Sequence, residues 1–341
     1  MKHLLLIGPL SNKNDATNTG GVTILFELLL LELKQKRIEY DVIDTLKDNY
    51  PNSAIAFFSS SLQIIKQFKN YEYISLQASN NSLLLLGPLV VLLSKIHKKH
   101  ISMRKFAGNL DDIYAKSNFL KKLIIKYVLK NMDINFFETK YLIKYFYHMN
   151  DETYWFPNVR QQLVVPKIPR TFNKRFVYIG TINQEKGIDE IISITEKLTS
   201  DYTLDVYGPI RENRYSENIL FDKNVNYKGC LEPDTVTNVL NTYDVLILPS
   251  YREGYPGVII EAFSLGIPVI ATKLEGIMEM ITHNVNGLLI DVKDSHQLQS
   301  AIESINNQSY FDLSTNALSS FSNFNSEEQT NLFLKRIGIG I

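Results

Sequence analysis

The sequence predicts an α/β protein of two doubly wound domains facing each other across a cleft. Three observations predict it. The chain is 341 residues long, about two domains at roughly 150 residues each. Short β-rich runs alternate with helical periodicity in two successive series, as in parallel sheets covered by helices. Between the series, Pro157, Pro166 and Pro169 break the pattern within one short stretch, as a linker does.

The first series predicts strands at 3–7, 39–43, 73–76, 100–104 and 133–137. Helical patterns separate or follow them at 22–35, 54–68, 83–96, 120–130 and 141–147. The second predicts strands at 176–179, 204–207, 225–227, 245–248, 269–271 and 288–290. Its helices are expected at 188–198, 233–241, 256–265, 277–282 and 295–305. Ser326 and Gln329 have capping-box spacing before a last helical stretch at 331–336. The expected domains are 1–158, a linker at 159–172, 173–318, and a C-terminal helix within 319–341 that returns to the first domain.

Composition narrows the class. With 45% hydrophobic and 21% charged residues, the chain reads as globular rather than disordered. Its 36 basic and 36 acidic residues balance, which argues against a nucleic-acid binder. One cysteine, Cys230, excludes a disulfide framework and points to a reducing, cytoplasmic compartment. No histidines show metal-ligand spacing and no Asp-x-Asp occurs, so no metal and no cofactor are expected. The apolar start at 4–10 lacks a small-residue cleavage site and reads as a first strand, not a signal peptide. The apolar run at 82–93 contains Gly87-Pro88 and is shorter than the ~20 residues a membrane span needs.

The charge is not evenly spread. Residues 81–150 hold 12 basic and only 4 acidic side chains. Lys122, Lys126 and Lys130 recur at i, i+4, i+8 and share one helix face. That face is either a docking surface for anionic lipid headgroups or a solvated face over a core helix.

Chemistry concentrates in the segment 244–261. A buried strand ends at Pro249, a loop carries Glu253 and Gly254, and Pro256 suits a helix start. Free amides at such a start favour an anion, a phosphate above all. Glu261, about five residues into that helix, is placed to accept hydrogen bonds from sugar hydroxyls, with Glu253 nearer the reaction.

The run E-G-Y-P-G-V-I-I-E-A, with Glu253 and Glu261 eight positions apart, resembles the hallmark of retaining glycosyltransferases of family 4, which have the GT-B fold. Its context carries the resemblance. Tyr178-Ile179-Gly180 with Glu185-Lys186-Gly187, Val206-Tyr207-Gly208-Pro209 and Asn226-Tyr227-Lys228-Gly229 precede it. Gly266-Ile267-Pro268, Glu275-Gly276-Ile277 and Asn286-Gly287-Leu288 follow, all in the order the family shows. The resemblance implies that Lys186 neutralises the donor diphosphate. Glu261 would hold the ribose hydroxyls and Glu253 would lie beside the transferred sugar. The loop of Gly254, Tyr255, Pro256 and Gly257 would touch sugar and phosphates through its free N–H groups, and Gly229, Cys230 and Leu231 mark the nucleobase site. Gly20 and Gly21 resemble the loop by which the first domain approaches the donor. Two departures stand out. Thr181 occupies the position of the usual phosphate-binding arginine, with Arg211 a substitute candidate, and no histidine follows the fourth strand. Arg104 and Asn109 are the acceptor-side candidates there.

The resemblance thus implies transfer of a sugar from a nucleotide-sugar to a hydroxyl acceptor with retained anomeric configuration. The basic first half fits a lipid-linked saccharide at the inner membrane face, as in assembly of bacterial surface polysaccharide. A sugar-nucleotide epimerase of the same fold and a non-catalytic sugar-nucleotide-binding partner are the alternatives. A dinucleotide-dependent oxidoreductase is disfavoured, because Gly8-Pro9-Leu10-Ser11-Asn12 lacks G-x-G-x-x-G.

Overall fold

The computed structural model describes residues 2–12, 21–166, 169–223 and 225–340. The chain divides into two compact units, residues 1–161 with 326–341, and residues 162–325.

In the first unit β1 (Lys2–Gly8), α1 (Gly21–Gln35), β2 (Tyr40–Asp44), α2 (Ser53–Gln67) and β3 (Tyr71–Ala78) come first. Then come α3 (Asn80–Leu85), α4 (Gly87–His97), β4 (His100–Lys105), α5 (Leu110–Lys116) and α6 (Phe119–Asn131). β5 (Ile134–Phe137), α7 (Lys140–Phe146) and β6 (Thr153–Trp155) complete its first pass. All neighbouring strands pair in parallel, in the order β2-β1-β3-β4-β5-β6.

Strand alternation explains why both faces are covered. Leu4 and Leu6 of β1 face a core with Phe26 and Leu29 of α1. Leu5 and Ile7 face the opposite core, with Ile64 of α2, Val90 of α4 and Val128 of α6. Successive side chains on a strand point to opposite faces, and a sheet buried on both sides needs the near-continuous apolar run seen here. The helix expected at 83–96 is two, α3 and α4. Pro88 has no N–H to extend the ladder, and it sits in the first turn of α4.

The second unit holds β7 (Arg175–Ile179), α8 (Ile188–Thr195), β8 (Thr203–Tyr207), α9 (Glu217–Asp222) and β9 (Asn226–Tyr227). It continues with α10 (Val236–Leu240), β10 (Val245–Leu248), α11 (Gly257–Ser264), β11 (Val269–Thr272), α12 (Glu275–Met278) and β12 (Gly287–Ile290). Two helices follow, α13 (Ser295–Ser304) and α14 (Asn307–Ser320). Its sheet is again parallel, ordered β12-β11-β10-β7-β8-β9. The first strand lies in the middle, so the chain winds one way from β7 and the other way from β10. That reversal is the topological switch point, where open α/β sheets leave a crevice at their strand C-termini.

The polar sequence of α14 hides it from a hydrophobic scan, yet Tyr310, Leu313, Ser314 and Ala317 line its buried face at helical spacing. Asn306 opens it with a reciprocal capping box, and α14 packs on α11. The last helix, α15 (Ser326–Arg336), starts five residues earlier than the pattern at 331–336. It belongs to the first unit, where Phe333 and Leu334 join the α1 core.

Candidate functional site

The residues that converge at the switch point of the second unit come from two loops, one after β7 and one after β10. After β7, the Asn183 side chain accepts from the Lys186 amide at 3.0 Å and caps a short 3-10 turn. Gly187 ends that turn at φ 76°. A Cβ there would stand 2.1 Å from the Pro249 carbonyl oxygen, so only glycine lets the two loops touch. After β10, the Tyr251 amide donates to the Glu185 carbonyl at 2.7 Å. The Tyr251 hydroxyl donates to the Glu190 carboxylate of α8 at 2.8 Å. The loops are thus stitched together by backbone, side-chain and van der Waals contacts at once.

This stitching brings Lys186 and Glu253 together. Lys186 Nζ lies 2.5 Å from Glu253 Oε1, with the two side chains 29% and 12% exposed. The Ser250 hydroxyl donates to the same Oε1 at 2.8 Å. Ser250 is itself buried, and its carbonyl accepts from the Thr272 hydroxyl at 2.6 Å. Glu253 is therefore aimed by a buried hydroxyl at the mouth of the sheet. Nearby, Tyr178 is fully buried and donates to the Thr181 carbonyl at 2.7 Å. Burial, and secondarily the Glu253 charge, pushes its phenol far above the ordinary range.

From Glu253 the chain turns through Gly254 into α11. A Cβ on Gly276 would come within 1.8 Å of the Gly254 carbonyl oxygen, so α12 supports this turn at contact distance. Pro256 occupies the N-cap of α11, and its side chain caps no amide. The first amides of such a helix, with the positive end of its dipole, suit an anion. Glu261 lies four residues beyond Gly257, about 6 Å along the axis, and is half-buried. Tyr255 is buried with its ring 6.1 Å from that of Phe324, so what it presents is backbone.

Gly229 follows β9 and its carbonyl accepts from the Gly208 amide at 2.9 Å, with Cys230 exposed beside it and Leu231 half-buried. The Arg211 side chain is exposed while its amide pairs with the Ile182 carbonyl at 3.1 Å. Gly21 opens α1 in the first unit, and Gly20 lies outside the described residues. Asn109 is exposed before α5.

Arg104 is 1% exposed and turned inward. Its guanidinium donates to the Pro157 carbonyl at 2.9 Å and stacks 3.5 Å from the Phe156 ring centre. Next to it Lys105 is buried and donates to the Phe106 carbonyl. Burial pushes both cations' pKa values down while the Glu138 charge opposes it. Glu138 is pushed up by its own burial, against the pull of both cations. Glu138→Gln, which removes the charge that opposes the burial cost of both cations, is expected to destabilise the chain. Chemical denaturation at neutral pH checks it, and an unchanged midpoint would refute the charge argument.

Sequence reasoning missed Ser250, Tyr251 and Glu190. Ser250 lies in the motif segment without a distinguishing signal, and the Tyr251–Glu190 contact spans 61 residues.

The family model described as "Glycosyl transferases group 1" matches residues 165–318. An uncharacterized glycosyltransferase of Methanocaldococcus jannaschii is 24% identical over 316 residues, covering 85% of this chain and 86% of the relative. The putative teichuronic acid biosynthesis glycosyltransferase TuaC of Bacillus subtilis is 33% identical over 156 residues, covering 45% of this chain and 36% of TuaC. Two further curated relatives are likewise matched over 35% and 36% of their own length. The crystal structure of Anabaena HepE in complex with UDP superposes with a TM-score of 0.73 at 15% identity, covering 98% of both chains. Residues 165–318 thus match the glycosyl transferases group 1 model, within a chain that has the two-domain GT-B fold.

Proposed function

We propose that this chain is a retaining glycosyltransferase that moves a sugar from a nucleotide-sugar to a hydroxyl of a lipid-linked saccharide, in assembly of a bacterial surface polysaccharide. One observation carries the reading. Lys186 and Glu253 meet at the switch point, beside a helix start whose N-cap, Pro256, offers no side-chain cap. A cation and converging amides suit a diphosphate, and a carboxylate next to them suits the sugar that the diphosphate carries.

In this reading the donor diphosphate takes the Lys186 ammonium from Glu253. As the glycosidic bond breaks, negative charge grows on the leaving phosphate. Lys186 and the first amides of α11 stabilise it in place, without reorganisation and without a metal. The sugar ring becomes oxocarbenium-like, and Glu253, held by Ser250, stabilises that charge or fixes the sugar hydroxyls. The departing phosphate accepts the acceptor proton, which gives retention by front-face attack and needs no histidine. Glu261 holds the ribose, and the loop 229–231 the base.

The names of the relatives support both halves of the reading: TuaC is described as a putative teichuronic acid biosynthesis glycosyltransferase, which fits a surface-polysaccharide acceptor, and the HepE structure holds UDP, which fits a nucleotide-sugar donor. A thermal-shift screen of UDP-, GDP- and ADP-sugars tests the donor half. A sugar nucleotide at 100 times its Kd adds about 2.7 kcal/mol to stability, a rise of several degrees. No shift with any of them would remove the donor site. Product analysis with the donor that binds then separates transfer from epimerisation, since an epimerase alters the donor with no acceptor present.

A further inference from the structure

The outer surface of the first unit carries a feature the donor chemistry does not use. α2, α3, α4 and α6 contain no aspartate or glutamate, and they lie side by side over one face of the sheet. On α2, Ala56, Ser60 and Ile64 turn to the core. Ile55, Phe58, Leu62 and Ile65 are all exposed, Phe58 by 69%. Their spacing of i, i+3, i+7, i+10 sets them in one stripe opposite the core. α6 repeats the arrangement: Ile125, Val128 and Leu129 are buried, while Phe119, at 81%, and Leu123 are exposed. Between them on α4, Leu92 and Ile96 are exposed as well.

Lysines accompany these apolar stripes. Lys126 and Lys130 are exposed on the outward side of α6, whereas Lys122 is half-buried with its ammonium 5.8 Å from the Tyr114 ring centre. Lys66 ends the α2 stripe and is exposed, as is Lys95 on α4. Large exposed apolar side chains at this density mark an interaction surface, and the absence of acid says what kind. A second copy of the chain in a two-fold pair would set these lysines against one another. An anionic surface meets them favourably.

We propose that the outer face of α2, α4 and α6 docks on the headgroup region of an anionic lipid bilayer. The apolar stripes enter the interface and the lysines contact the lipid charges. Among the described residues no helix is long and apolar enough to cross a membrane, so these helices lie in the interface plane. The proposal is independent of the transfer reaction, because docking is read with neither donor nor acceptor present.

Co-sedimentation of the full chain with vesicles tests it, using phosphatidylcholine alone and phosphatidylcholine mixed with phosphatidylglycerol. Partitioning is expected to favour the anionic mixture by at least ~10-fold at moderate salt. Lys126→Glu with Lys130→Glu should weaken it by ~30-fold or more. Phe58→Ser with Leu62→Ser should weaken it about tenfold or more. These four side chains face solvent, so a melting temperature equal to the parent's accompanies each loss. A variant that loses stability is replaced by Phe58→Trp, whose emission should shift to the blue on anionic vesicles only. Equal partitioning to both vesicles, indifference to both pairs of substitutions, or unshifted emission overturns the proposal. So does a dimer by light scattering that Phe58→Ser with Leu62→Ser converts to monomer, which would give the face to a second copy.

Discussion

Glu253→Gln is expected to lower sugar transfer by about 100- to 1000-fold, the scale on which one aimed electrostatic group acts in a transition state. The affinity for the nucleoside diphosphate alone is expected to stay the same or to tighten. The reason is the ion pair seen in the structure, Lys186 Nζ to Glu253 Oε1 at 2.5 Å. In the parent, a diphosphate must compete with a carboxylate for that ammonium. Glutamine keeps the shape and the Ser250 hydrogen bond but removes the competing charge. Single-turnover transfer assays and calorimetric titration with the diphosphate separate the two effects. Transfer at the parent rate, or diphosphate affinity ten times weaker, would contradict the assignment.

Lys186→Ala is expected to behave differently, losing affinity and rate together. A charge-assisted hydrogen bond is worth about 1.5–3 kcal/mol, so diphosphate affinity should fall by roughly 10- to 100-fold. The rate should fall further, because charge on the leaving phosphate rises as the bond breaks. The substitution also leaves Glu253 facing the incoming phosphate with no cation between them, and like charges add to the loss. The same titrations read the result. Full diphosphate affinity in this variant would detach Lys186 from the phosphate and make it only the partner of Glu253. Together the two substitutions tell a binding cation from a group that acts on the sugar.

Much of this site was legible before any coordinates. Glu253, Gly254 and Gly257 stand within one short segment, and a buried strand followed by a proline-led helix start has a local meaning. Lys186 was legible only through order and context, since a lone lysine before a glycine carries little information. Local signals also misjudged some elements. Pro88 split one expected helix, while the three-residue β6 was too short to show alternation. α14 escaped because its buried face includes Ser314 and most of its remaining positions are polar.

The chain's own order of strands, helices and glycines determined the α/β class, the two-part organisation and the phosphate-suited turn at 253–257, because these depend on neighbours a few positions apart. The basic bias of residues 81–150 was likewise a matter of counting. Tertiary structure alone decided that Lys186 reaches Glu253 across 67 positions and that Ser250 holds the carboxylate. It also turned Arg104 inward against Phe156 and gathered apolar stripes from separate helices onto one lysine-bearing face. Those outcomes depend on sheet order and on which face each helix buries, and packing of segments distant in the chain settles both.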